Sequence, residues 1–145
     1  MLSRLMFAAL ALFAASVFLY TGATQAQEQG SKVLAKGEFH KADKAGKGTA
    51  TIYELANGKR VLRLTDFETE NGPDLHVRLI AADDAKDTAS VAKTEYVEVA
   101  KLKGNKGNQN YDLPANVDLG KYRAVSIWCN RFSVNFAAAP LTAAR

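Results

Sequence analysis

Apolar residues recur at every second position through much of the chain, the period of half-buried strands rather than of helices. The clearest stretch is residues 122–141, YRAVSIWCNRFSVNFAAAPL. Val125, Ile127 and Cys129 share one face of a first strand, with Ala124, Ser126 and Trp128 on the other. After Asn130-Arg131, Phe132, Val134 and Phe136 continue an apolar face while Ser133 and Asn135 point away. A polar pair between two period-2 runs predicts a tight hairpin. Cys129 then ends a core strand beside the turn, half buried and still within reach of solvent.

Residues 33–40 read as a first strand, 41–48 as a Lys/Gly/Asp turn, and 49–55 as a second strand with Ile52 alternating against Thr51 and Tyr53. Asn57-Gly58 is the strongest short-range hairpin signal, because both positions tolerate positive φ. The return strand, 60–67, sorts Val61, Arg63, Thr65 and Phe67 onto one side and Leu62, Leu64 and Asp66 onto the other, and neither face is clean. Asn71-Gly72-Pro73-Asp74 reads as a turn, since Pro73 restricts the residue before it and cannot donate to a ladder. Leu75, Val77 and Leu79 then alternate with His76 and Arg78, which predicts a half-buried strand with its histidine on a solvated face. Residues 81–94 hold a short helix or a long crossing loop. Tyr96, Val97 and Val99 resume a strand, 102–110 is a polar Gly/Asn-rich loop, and 111–113 and 117–119 are short elements. The pattern is all-β: an antiparallel β-sandwich or partly closed barrel of about seven to nine strands.

The N-terminus departs from this period. A short positive start containing Arg4, an apolar run over residues 5–20 and the small-residue end Thr24-Gln25-Ala26 predict a removable export leader over residues 1–26. The mature chain is then periplasmic or secreted and begins at Gln27. The apolar run is short of the roughly 20 residues that span a membrane, which leaves an uncleaved N-terminal anchor as the alternative. A lipoprotein is excluded, because the leader contains no cysteine to lipidate.

A chain of 145 residues has room for one domain. Its formal charge of +4 comes from interspersed residues rather than runs, and no aromatic-rich basic stripe points to nucleic acid. With one cysteine there is no internal disulfide. In an oxidising envelope a lone thiol is either buried and inert or in use. Arg131 and Arg123 are placed to lower its pKa if a guanidinium comes close, and Trp128 beside it suits a cofactor shelf or plain core. His76, next to Asp74 after a rigid turn, and His40, in a charged turn, are the other soft-ligand candidates. Spacings such as C-x₂-C or H-x₃-H are absent. Residues 104–108 lack the Gly-Lys-Ser/Thr ending of a phosphate loop, and nothing matches a nucleophile elbow.

Four ordered blocks carry a family resemblance: Leu62-Arg63-Leu64-Thr65-Asp66-Phe67; Asn71-Gly72-Pro73-Asp74-Leu75-His76-Val77; Leu102-Lys103-Gly104-Asn105 with Asn108-Gln109-Asn110-Tyr111; and Trp128-Cys129 with Phe132-Ser133-Val134 and Ala139-Pro140-Leu141. Together they closely resemble the electron-transfer DM-thirteen domain. The resemblance implies an all-β extracytoplasmic module, of a kind seen in bacterial envelope proteins and beside haem-binding domains in animal cell-surface proteins. It divides the chain into a leader (1–26), a flexible tail (27–36), the β domain (37–141) and a C-terminal tail (142–145). The family's cysteine matches Cys129, proposed as a redox thiol or a ligand to a prosthetic group such as haem. Trp128, Arg131, Asp74 and His76 would then shape its pocket. The expected partner is an envelope redox protein or a cell-surface protein. Two readings stand: an electron-transfer module working through Cys129, or a non-catalytic binding sandwich with Cys129 as core. Both rank ahead of a third class, a conventional stand-alone enzyme.

Overall fold

The computed structural model describes residues 30–145, so the leader expected over 1–26 lies outside the described residues. Ten strands and one short helix follow: β1 (Lys32–Glu38), β2 (His40–Lys41), β3 (Gly46–Glu54), β4 (Arg60–Thr69), β5 (Leu75–Ile80), α1 (Ala89–Ala92), β6 (Tyr96–Lys101), β7 (Gln109–Leu113), β8 (Ala124–Cys129), β9 (Val134–Pro140) and β10 (Thr142–Ala143). They pair into two antiparallel five-stranded sheets, ordered β10-β1-β3-β4-β7 and β2-β9-β8-β5-β6. The sheets do not close into a barrel, so the molecule is a sandwich.

Between the sheets lies the main core. Ile52, Leu62, Leu64 and Phe67 enter from the first sheet, and Val77, Leu79, Val125, Ile127, Cys129 and Phe136 from the second. Each such side chain contributes roughly 1.5–3 kcal/mol by leaving water. Phe39 and Phe67 meet edge to face at 5.0 Å between centroids. The alternation expected of β8 is observed, with Val125, Ile127 and Cys129 inward.

The second sheet is also covered on its outer face, which the pattern did not foresee. Residues 81–95 cross it and pack Ala85 and Val91 onto Ile80, Ala124, Trp128 and Ala138. Polar ties hold this strap: His40 Nε2 to Asp84 Oδ1 at 2.6 Å, Thr88 N to Asp43 Oδ2 at 2.9 Å, and Asn135 N to Thr88 Oγ1 at 3.0 Å. Asn135, expected to point into solvent, is fully buried and accepts from Ser126 Oγ at 2.8 Å. β5 and β8 are accordingly buried at all their positions, where β5 was expected to be half buried.

Other departures are local. The two unclean faces of β4 reflect a bulge: the β3–β4 register shifts between Lys47 and Thr49, Asp66 adopts φ 50°, and Phe67 rejoins the core side with Leu62 and Leu64. The β3–β4 hairpin turns through residues 55–59, longer than a two-residue turn, and of Asn57-Gly58 only Gly58 has positive φ. The β8–β9 turn covers residues 130–133, so Phe132 sits exposed at its tip instead of joining the core face. Residues 117–119 form no strand, although Val117 is buried and its carbonyl accepts from Arg60 Nη1 at 2.8 Å. Both tails are shorter than expected, because β1 begins at Lys32 and pairs with β10 through Ala35 and Lys36.

Candidate functional site

Position 129 and its neighbour 128 point to opposite faces of β8, and this divides the expected site in two. Cys129 lies in the main core at 0 % exposure, with Leu75 and Val134 as its strand partners. The expectation of a half-buried, reachable thiol is therefore not met. Its physical reason is the second sheet's place in the sandwich, which turns the Val125–Ile127–Cys129 face onto the opposing sheet. Arg131 is exposed in the turn, and Arg123 is exposed and paired with Asp83.

Trp128 faces outward, where it joins a polar network spread over β5, β6 and β8. Cross-strand register sets His76 beside Trp128 and Arg78 beside Glu98, an opposite-charge pairing of the kind that stabilises sheets. Arg78 Nε donates to Glu98 Oε2 at 3.0 Å, and its Nη2 donates to Asn130 Oδ1 at 2.8 Å. The guanidinium carbon lies 3.9 Å from the Tyr96 ring centroid and 5.2 Å from that of Trp128, two cation–π contacts worth roughly 0.5–2 kcal/mol each. His76 and Arg78 are each about 8 % exposed, as is Trp128, whereas Tyr96 is 46 % exposed. The solvated face expected for His76 is thus corrected to a buried one. Burial is tolerable because each charged group meets partners.

His76 is held at both ring nitrogens. Nδ1 meets Glu98 Oε1, while Nε2 lies 2.8 Å from Asp74 Oδ1 and 3.0 Å from Asn130 Nδ2. Both nitrogens being engaged, neither offers a free lone pair to haem iron or another metal. The two carboxylates flank opposite sides of the ring and do not converge on one point. Among the described residues, no group of three or more His, Cys, Asp or Glu side chains is arranged to hold a metal ion.

The structure thus brings Asp74, His76 and Trp128 together and leaves Cys129 and Arg131 apart from them. Sequence reasoning missed Arg78, Glu98, Tyr96 and Asn130. The signal was present in β5 itself: a histidine and an arginine two residues apart, in a strand that the sheet order makes interior. His40 belongs to the strap instead. Burial pulls its pKa down, but the Lys41 carbonyl and the Asp84 carboxylate outweigh that and raise it above the ordinary 6.5.

No curated protein and no solved structure matches the chain significantly. The family model described as electron transfer DM13 matches residues 38–141, from the end of β1 to just past β9. The chain therefore belongs to the electron transfer DM13 family and is a general electron-transfer module.

Proposed function

We propose that this protein is an exported electron-transfer module that docks a redox partner of the envelope or cell surface through the exposed Tyr96 edge of its second sheet. The observation that carries this reading is the Arg78–Tyr96–Trp128 stack, braced by His76, Glu98 and Asn130. Trp, Tyr and Arg are the residue types that anchor protein interfaces, and a pre-ordered stack loses little entropy on binding. Half-exposed Tyr96 offers the contact surface, and buried Arg78 and Trp128 hold it in place. Export rests on the leader sequence of residues 1–26.

A second reading keeps the redox role with Cys129, as a thiol or as a ligand to a prosthetic group such as haem. Family membership favours it; complete burial of the thiol weighs against it in the closed fold. A thiol reagent or an iron would reach Cys129 only through local opening of the core around it. In the docking reading Cys129 is a small core hydrophobe, and the group that changes oxidation state belongs to the docked partner.

The decisive experiment places a photo-crosslinker at Tyr96 and recovers the protein from its own envelope. The docking reading expects a cross-linked partner with a redox absorption band, lost on Arg78→Ala, together with alkylation of Cys129 only in denaturant. A Soret band on the uncrosslinked protein, or rapid native alkylation, would move the role to Cys129.

A further inference from the structure

The other flank of the sandwich carries a feature unrelated to that network. A groove of about 440 Å³ lies over the outer face of the first sheet, where Tyr53, Val61, Arg63 and Asp112 come together from β3, β4 and β7. The register places them: Tyr53 pairs with Val61, Val61 with Asp112, and Arg63 with Asn110, while intervening Leu62 and Leu64 face the core. Lys59 from the β3–β4 turn and Lys103 from the loop before β7 also line it. The volume falls in the range of roughly 300–1,000 Å³ common for small-ligand sites.

Charge is unbalanced here. Three lining side chains are cationic and one is a carboxylate. Lys103 is partly committed, donating to the Asn110 carbonyl with its ammonium 5.0 Å from the Tyr111 ring centroid. Arg63, Lys59 and Asp112 make no ion pair among the described residues, whereas Lys47, Lys121 and Arg123 on the same molecule each pair with a carboxylate. A half-buried, unpaired guanidinium fork is matched to a carboxylate or phosphate.

We propose that this groove binds an acidic saccharide. Arg63 and Lys59 take the acid group. Tyr53, Leu55 and Val61 supply the apolar surface on which the C–H face of a sugar ring rests. Asp112 is the discriminating residue: an ionised carboxylate only accepts hydrogen bonds, so it favours a hydroxyl-rich ligand and repels a compact polyanion. The site shares no residue with the Arg78 network and stands whether or not the docking reading holds.

Calorimetric titration of the purified protein with digalacturonate, neutral digalactose and inorganic phosphate tests this. Digalacturonate should bind at least tenfold more tightly than either control, with affinity falling as salt screens the cations. Arg63→Gln should weaken it at least tenfold, and Lys59→Gln about threefold, with unchanged circular dichroism. Equal affinity for phosphate would reduce the groove to a simple anion patch, and equal affinity for digalactose would remove the role of charge; either overturns the proposal, as does absence of digalacturonate binding. Should Arg63→Gln fail to fold, Lys59→Gln on the exposed turn decides, and unchanged affinity in that variant overturns the assignment.

Discussion

Arg78 shows how a full charge is kept inside a sheet face. Its guanidinium is bonded to Glu98 and Asn130 and lies over two aromatic rings, contacts that together offset its dehydration. Removing one partner of a buried pair typically costs about 3–5 kcal/mol. Here the remaining carboxylate, Glu98, is 42 % exposed and regains water, which lowers the expectation for Arg78→Ala to roughly 2–3 kcal/mol in urea melts. Cys129 is the contrasting case, because nothing polar holds it and its contribution is packing. Cys129→Ala leaves a small void in the main core and should cost roughly 1–2 kcal/mol by large-to-small reasoning. A melt unchanged by that substitution would contradict the core role assigned to the thiol.

At the level of elements, the strands were legible where one face is apolar throughout, as in β8, and illegible where the backbone breaks the period. β4 is the instructive case. Gly48, at φ 107°, and Asp66 form a bulge that moves Phe67 onto the face of Leu62 and Leu64. A strict two-residue count therefore assigned Phe67 to the wrong side. A Cβ on Gly48 would lie 2.7 Å from backbone atoms of Thr65, Asp66 and Phe67, so Gly48→Ala combines positive-φ strain with a backbone clash and should destabilise by about 2 kcal/mol or more. The β8–β9 hairpin gives a paired expectation. Phe136, nearly fully buried, should cost about 3–5 kcal/mol on truncation to Ala, whereas Phe132→Ser at the exposed tip should stay within about 0.5 kcal/mol. Equal effects would mean that the turn is not at residues 130–133.

For the whole molecule, the outer layer over the second sheet was the part hidden from a linear reading. His76, Arg78 and Asn135 look solvated by alternation, yet cross-strand partners and the 81–95 strap bury them, and those partners lie 20 or more residues away for Arg78–Glu98 and 47 for Asn135–Thr88. No local period reports contacts at such separations. The strap also gives the fold a pH dependence. His40 reaches Asp84 from β2 and is held with its pKa above 6.5, so the folded state binds a proton more tightly than the unfolded chain. The resulting stabilisation is fully present below the unfolded value near 6.5 and is lost as pH rises through the higher folded value. Strap opening should accordingly become easier just above pH 6.5, seen as faster amide exchange at Ala85 and Val91, corrected for the intrinsic pH dependence of exchange. His40→Gln should flatten that step, which assigns it to His40. If wild type and variant showed the same pH profile, the His40–Asp84 contact would not be what fastens the strap.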